Sequence, residues 1–166
     1  RLRNLSFFGV GTGLQGVNFL GAGSLSMENI TIEAQSGNGV NIAANGTVNA
    51  VLRNVSIRGV SAGVQVATSV GLARVLLDGV HVQQAAAGVS VDANSVVDIN
   101  RSSFNFTITG ILSSFASSIV RLSDSTVSMN TTGLSATAGG QIISYNNNRL
   151  RGNTTDGAPT STIYQR

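Results

Sequence analysis

The chain has 166 residues, 42% of them apolar, with one proline, no cysteine, and ten basic against seven acidic side chains for a net charge of +3. That supports about one domain with a single core, and the missing cysteine excludes a disulfide scaffold or a thiolate zinc site. Charged residues at 10%, against roughly 25% in an average domain, exclude a disordered polyampholyte or a coiled coil; no run of 18 apolar residues offers a membrane span, and the small basic excess does not by itself imply nucleic acid.

From Arg1 onward the chain reads as short alternating apolar segments separated by turns, with strand rather than helix periodicity. Glycines set the period: Gly13, Gly39, Gly63, Gly88, Gly110, Gly133 and Gly157 fall 26, 24, 25, 22, 23 and 24 residues apart, which predicts seven repeats. Within each repeat the first predicted strand turns Leu25 or Met27, Leu52, Leu77, Ile99, Leu122 and Tyr145 inward. The second contributes Leu5, Ile30, Val55 and Val80, then Phe7, Ile32, Ile57, Val82, Phe104, Val127 and Leu150. The third contributes Leu14, Val40, Val64, Val89, Ile111 and Leu134, with Ile42, Val66 and Val91.

Three inward-facing strands per repeat describe a coil that rises by one strand spacing, about 4.8 Å, per turn. The expected fold class is therefore all-β, a parallel β-helix solenoid of about seven rungs forming one domain over residues 1–166. A leucine-rich repeat would need Asn or Cys three residues after Ile57 and its counterparts. That position reads Val10, Gln35, Val60, Ala85, Thr107, Asn130 and Asn153, and the return segments have strand character. A strict hexapeptide period is absent as well.

The stretch Leu52-Arg53-Asn54-Val55-Ser56-Ile57-Arg58-Gly59, followed by Ala62-Gly63-Val64-Gln65-Val66, is similar to the repeats of right-handed parallel β-helix proteins of the pectin-lyase-like superfamily. Val127 to Leu134 and Ile143 to Asn153 resemble the final rungs of secreted bacterial members of unknown function. The resemblance covers essentially the whole chain and implies a right-handed solenoid outside the cell or on its surface. It does not select an activity, because this rod carries lyases, hydrolases, epimerases and adhesins alike.

The resemblance also implies an interior asparagine ladder at the turn before the second strand, in the column Asn4, Asn29, Asn54, Gly79, Arg101, Asp124 and Asn147; the proposed ladder residues are Asn4, Asn29, Asn54 and Asn147. A short amide or glycine tolerates the left-handed turn geometry, and stacked amides satisfy one another. One position earlier, Arg3, Glu28, Arg53 and Asp78 alternate in sign. Glu33 is expected over Arg58, Asp98 over Arg121, and Arg101 over Asp124, so these residues read as charge ladders in which opposite charges on adjacent strands contribute about 0.2–1 kcal/mol each.

The catalytic candidates are Glu28, Asp78, Asp92 and Asp98. A glycoside hydrolase needs two carboxylates about 5–9.5 Å apart, and Glu28 and Asp78 are expected two rungs apart with Arg53 between them. An ion-paired carboxylate is stabilised in its charged form, the wrong direction for a general acid. The family's Asp-Asp pair and Gly-His-Gly are missing, Asp92 and Asp98 have no third acid beside them for Ca²⁺, and the lone His81 reads as a surface residue. No cofactor and no metal is expected. Phe104, Phe106 and Phe115 are expected to fill the core of the fifth repeat where Ser102 and Ser113 leave it short.

At the C-terminal end the polar segment of about 152–166 is expected to cap the coil, whereas Arg1 to Leu5 enter a full rung without a cap. The leading functional expectation is a non-enzymatic extracellular or envelope rod, or a surface module touching polysaccharide. A polysaccharide lyase or hydrolase domain is the alternative, and a module self-associating through the bare N-terminal rung is a third. No nucleic-acid partner is expected.

Overall fold

In the computed structural model, which describes residues 1–164, the chain folds into strands β1 (Leu2–Gly13), β2 (Val17–Phe19), β3 (Gly23–Gln35), β4 (Val40–Ile42), β5 (Val48–Val66), β6 (Ala73–Val91) and β7 (Ser95–Asn100). They continue as β8 (Ser103–Ser113), β9 (Ser118–Ser123), β10 (Thr126–Ser128), β11 (Thr132–Ala136), β12 (Gln141–Ser144), β13 (Arg149–Leu150) and β14 (Ser161–Thr162). All the pairings are parallel and each joins segments about one turn apart in sequence. The chain is thus a parallel β-solenoid, and no helix among the described residues is long and apolar enough to cross a membrane.

Three faces surround the core. The first stacks the starts of β1, β3, β5 and β6 with β7, β9, β12 and β14; the second stacks Leu5–Phe8, Ile30–Glu33, Val55–Arg58 and Val80–Gln83 with the start of β8, β10 and β13. The third stacks β2, β4 and the ends of β5, β6 and β8 with β11. Its six rows make six full turns, while the second face has a seventh row and the first an eighth, β14.

The corner between the first and second faces is a single residue in the left-handed region: Asn4 (φ 53), Asn29 (φ 53), Asn54 (φ 51), Gly79 (φ 68), Arg101 (φ 48) and Asp124 (φ 49). The next corner repeats the device at Ala34 (φ 54), Gly59 (φ 65), Gln84 (φ 54), Phe106 (φ 56), Met129 (φ 59) and Gly152 (φ 82). Each such residue breaks the in–out alternation, so two neighbours in a row point outward before the chain turns back to the core.

The core is the predicted apolar set without Leu5, which is exposed on the first turn, and Leu14; it includes Ile30, Ile32, Leu52, Ile57, Leu77, Val82, Phe104, Ile111 and Leu122, all with almost no exposed surface. A further inward column, Leu25, Ala50, Val75, Val97, Val120 and Ile142, completes the first face. The column expected to end at Tyr145 ends at Ser144, which pairs with Leu122.

Two of the glycine positions differ from expectation. Gly16, not Gly13, precedes the strand that pairs with Val40, because Val10, Gly11 and Thr12 bulge out between Gly9 and Gly13 and shift the frame by three. Val17 therefore takes the inward place assigned to Leu14, which is exposed. At the other end Gly133 lies beside Asp156 rather than Gly157, since Gly133 N–H donates to Thr155 O and Leu134 N–H to Asp156 O. The column itself is required by close approach: a Cβ on Gly63 would lie 2.5 Å from Gly88 O, and one on Gly39 would lie 2.8 Å from Gly63 O. In the segment expected to cap the coil, β14 pairs with β12; its last two residues, 165–166, lie outside the described residues.

Candidate functional site

The alternation Arg3, Glu28, Arg53, Asp78 is a true register column, because the strands of the first face carry these four residues side by side. Glu28 binds Arg1 Nη2 at 3.0 Å and Arg3 Nη2 at 3.2 Å. The hydrogen bond from Arg1, with the charges of Arg3 and Arg1 behind it and burial opposing, holds the Glu28 carboxyl below its ordinary range. Arg58 meets Glu33 at 3.3 Å and Arg121 meets Asp98 at 3.2 Å, as the columns predict.

Asp78 is the most heavily engaged acid. Arg101 Nε donates to its Oδ1 at 2.9 Å and Arg101 Nη2 to its Oδ2 at 2.6 Å, a two-pronged contact, while Arg53 Nε stands 4.0 Å away. The expected pairing of Arg101 with Asp124 is thereby corrected. Arg101 occupies the register place of Gly79, and the side chain reaches past that bare glycine to the preceding turn.

Asp92 lies at the edge of the third face in a depression of about 450 Å³ lined by Ala43, Ala67, Thr68, Ser69, Ala93 and Phe115. Gln65 Nε2 donates to one of its oxygens and Ser114 Oγ to the other. Phe115 is 48% exposed over this depression and Phe106 is 56% exposed at the second corner, so of the three rings expected inside only Phe104 fills the core. The reason for Phe106 is its place in the left-handed corner column, where side chains point out; aligning it with Gly59 and Gln84 rather than with Phe104 would have revealed this from sequence.

The structure thus brings Glu28, Asp78 and Asp98 each onto an arginine of the first face or its corner, and sets Asp92 apart from them on the third. Among the described residues no group of three or more His, Asp or Glu side chains converges as a metal site would. His81 lies outward on the second face, its Nδ1 2.8 Å from Ser103 Oγ.

The asparagine ladder exists but on the outside. Asn29 Nδ2 donates to Asn4 Oδ1 at 3.0 Å and Asn54 Nδ2 to Asn29 Oδ1 at 3.2 Å, with all three residues exposed. The left-handed turn rotates them away from the core that the resemblance had implied. Asn147 departs from the column's role: the left-handed residue there is Asn146, and Asn147 Oδ1 accepts from Asp124 N–H.

The interior amides are at the second corner. Asn130 is buried; its Oδ1 accepts from Thr107 N–H at 2.8 Å and Thr107 Oγ1 at 2.7 Å, and its Nδ2 donates to Phe104 O and to Asn153 Oδ1. A second inward polar run links Val80 N–H to Ser102 Oγ, Ser102 N–H to Ser125 Oγ, and Ser125 N–H to Asn148 Oδ1. Both runs were legible as columns in which apolar residues give way to Ser, Thr and Asn.

A family described as right handed beta helix region matches residues 1–160 of the chain. No curated protein and no solved structure matches it.

Proposed function

This chain belongs to the right-handed β-helix family, and from that premise we propose that it is a non-enzymatic rod, outside the cell or in its envelope, whose flanks contact a glycan. One observation carries the reading: every candidate acid is already committed. Glu28, Asp78 and Asp98 are ion-paired, and both oxygens of Asp92 accept side-chain hydrogen bonds. Glycoside hydrolysis asks instead for two carboxyl groups flanking a sugar with their protonation states driven apart. The exposed rings Phe106 and Phe115 support contact with the C–H faces of sugars, because an aromatic ring offers a large apolar surface at low entropic cost.

The test pairs affinity electrophoresis in acidic and neutral polysaccharides with assays for unsaturated and reducing ends. Retardation without new ends is the expected result. Product formation that Asp78→Asn or Asp92→Asn abolishes, with folding intact, would overturn the reading in favour of a lyase or hydrolase. Native mass spectrometry should show a monomer; an oligomer would move the reading to an assembly module.

A further inference from the structure

The chain has no lysine, so arginine carries all of its permanent side-chain positive charge. Of the nine arginines among the described residues, Arg1, Arg3, Arg53, Arg58, Arg101 and Arg121 stand against carboxylates. Among the described residues Arg74, Arg149 and Arg151 form no such pair, and two of these three share one short stretch of the second face. Arg149 begins β13 and Arg151 follows its end, so the two exposed side chains leave the same side of the chain about 6.6 Å apart. The preceding row offers them only Thr126 and Ser128, which are uncharged. Two guanidinium groups side by side repel, and an anion between them removes the penalty, most effectively a planar oxyanion that each fork can grip with two hydrogen bonds.

These arginines line a depression of about 690 Å³ together with Ser128, Met129, Asn148 and Leu150. Met129 is 60% exposed, and the equally outward Phe106 lies one turn before it, joined by a hydrogen bond from Phe106 N–H to Met129 O. Both residues hold the left-handed conformation, φ 59 and 56, at a corner where the same column elsewhere uses Ala34, Gly59, Gln84 and Gly152, none of them large and apolar. A bulky residue is strained there and glycine is not, so two large apolar side chains kept at such positions and turned to solvent are poorly explained by folding alone.

We propose that this corner is a subsite for one anionic sugar unit of a polysaccharide: Arg149 and Arg151 bind its carboxylate or sulfate, and Met129 and Phe106 cover its apolar C–H face. The inference rests on the glycan-contact reading and adds the charge and the place of the ligand. Cation pair and apolar strip together fit a ligand that is anionic at one edge and apolar on one side.

Titration calorimetry of the whole chain with oligosaccharides of galacturonic acid, of sulfated dextran and of neutral dextran tests it. Binding by one or both anionic probes, weakening as salt is raised, is expected, with the neutral probe silent; which anion binds tells carboxylate from sulfate. Arg149→Gln and Arg151→Gln should each weaken binding about tenfold, and Met129→Gly, which relieves the backbone strain, should weaken it several-fold in a chain at least as stable. Arg74→Gln should leave binding unchanged. Equal affinity of the three subsite variants and the parent would overturn the subsite while the glycan-contact reading stood. Silence of every saccharide, neutral included, would overturn both.

Discussion

Replacing Asn130 by alanine removes an amide whose two lone-pair directions and two N–H groups are all used. The truncation leaves Thr107 N–H, on a buried residue, without its acceptor and withdraws one donor each from Phe104 O and Asn153 Oδ1. A single buried group left unsatisfied costs about 1–3 kcal/mol, and the accompanying lost bonds bring the sum to about 2–4 kcal/mol. Urea unfolding supplies the total, and hydrogen exchange at Thr107 N–H supplies the local reading, which matters because a solenoid need not unfold in one step. Asn29→Gly is the matched control: it deletes two exposed ladder bonds, preserves the left-handed turn, and should stay within about 0.5 kcal/mol of the parent. If Asn130→Ala moved neither the midpoint nor the Thr107 exchange rate, the interior amide run would have no structural role and the reasoning would fail.

Glu28 has a folded-state pKa below its ordinary value, so its contribution is present above the unfolded pKa and is lost as pH falls through the folded one; the gap in thermal midpoint between the parent and Glu28→Gln should therefore be open at neutral pH and close with acid. Arg53→Ala removes a half-exposed arm 4.0 Å from Asp78 and should cost well under about 1 kcal/mol, because Arg101 still holds that acid; a larger loss in equilibrium unfolding would show the charge column to be a main support of the sheet. Gly63→Ala places a Cβ 2.5 Å from both Gly88 O and Val82 Cγ1 and should destabilise by about 3 kcal/mol. Gly11→Ala, at φ +76 with open space around it, should cost only about 1 kcal/mol, and comparable thermal midpoints for the two variants would contradict the stacking role of the glycine column.

Periodicity made the solenoid legible, because the inward strands of a parallel coil repeat the same chemistry at the same place on every turn: Leu52, Leu77, Ile99 and Leu122 could be aligned without coordinates. What it missed has one physical origin. A left-handed residue adds an outward position without adding a rung, so parity cannot tell Phe106 from Phe104, nor place Asn54 inside or outside. The Val10–Thr12 bulge misled for a related reason, since three extra residues preserve the local pattern while displacing the register. Charge columns were read correctly on straight strands, as for Glu33 and Arg58, and incorrectly for Arg101, whose side chain crosses a corner. The apolar strip and free arginines near β13 escaped notice because neither forms a motif in sequence; only the fold brings Met129 and Arg151 to one depression.

The change of interior from Ile30, Val55 and Val80 to Ser102, Ser125 and Asn148 makes the two halves of the rod respond differently to temperature. Hydration of apolar surface carries a large positive heat capacity of unfolding and that of polar surface a negative one. The early turns therefore have the more sharply curved stability profile and weaken on cooling, while the hydroxyl- and amide-lined turns have the flatter one. Because each turn is held chiefly by its neighbours, cooling is expected to weaken the turns around Ile30, Val55 and Val80 before those around Ser102, Ser125 and Asn148.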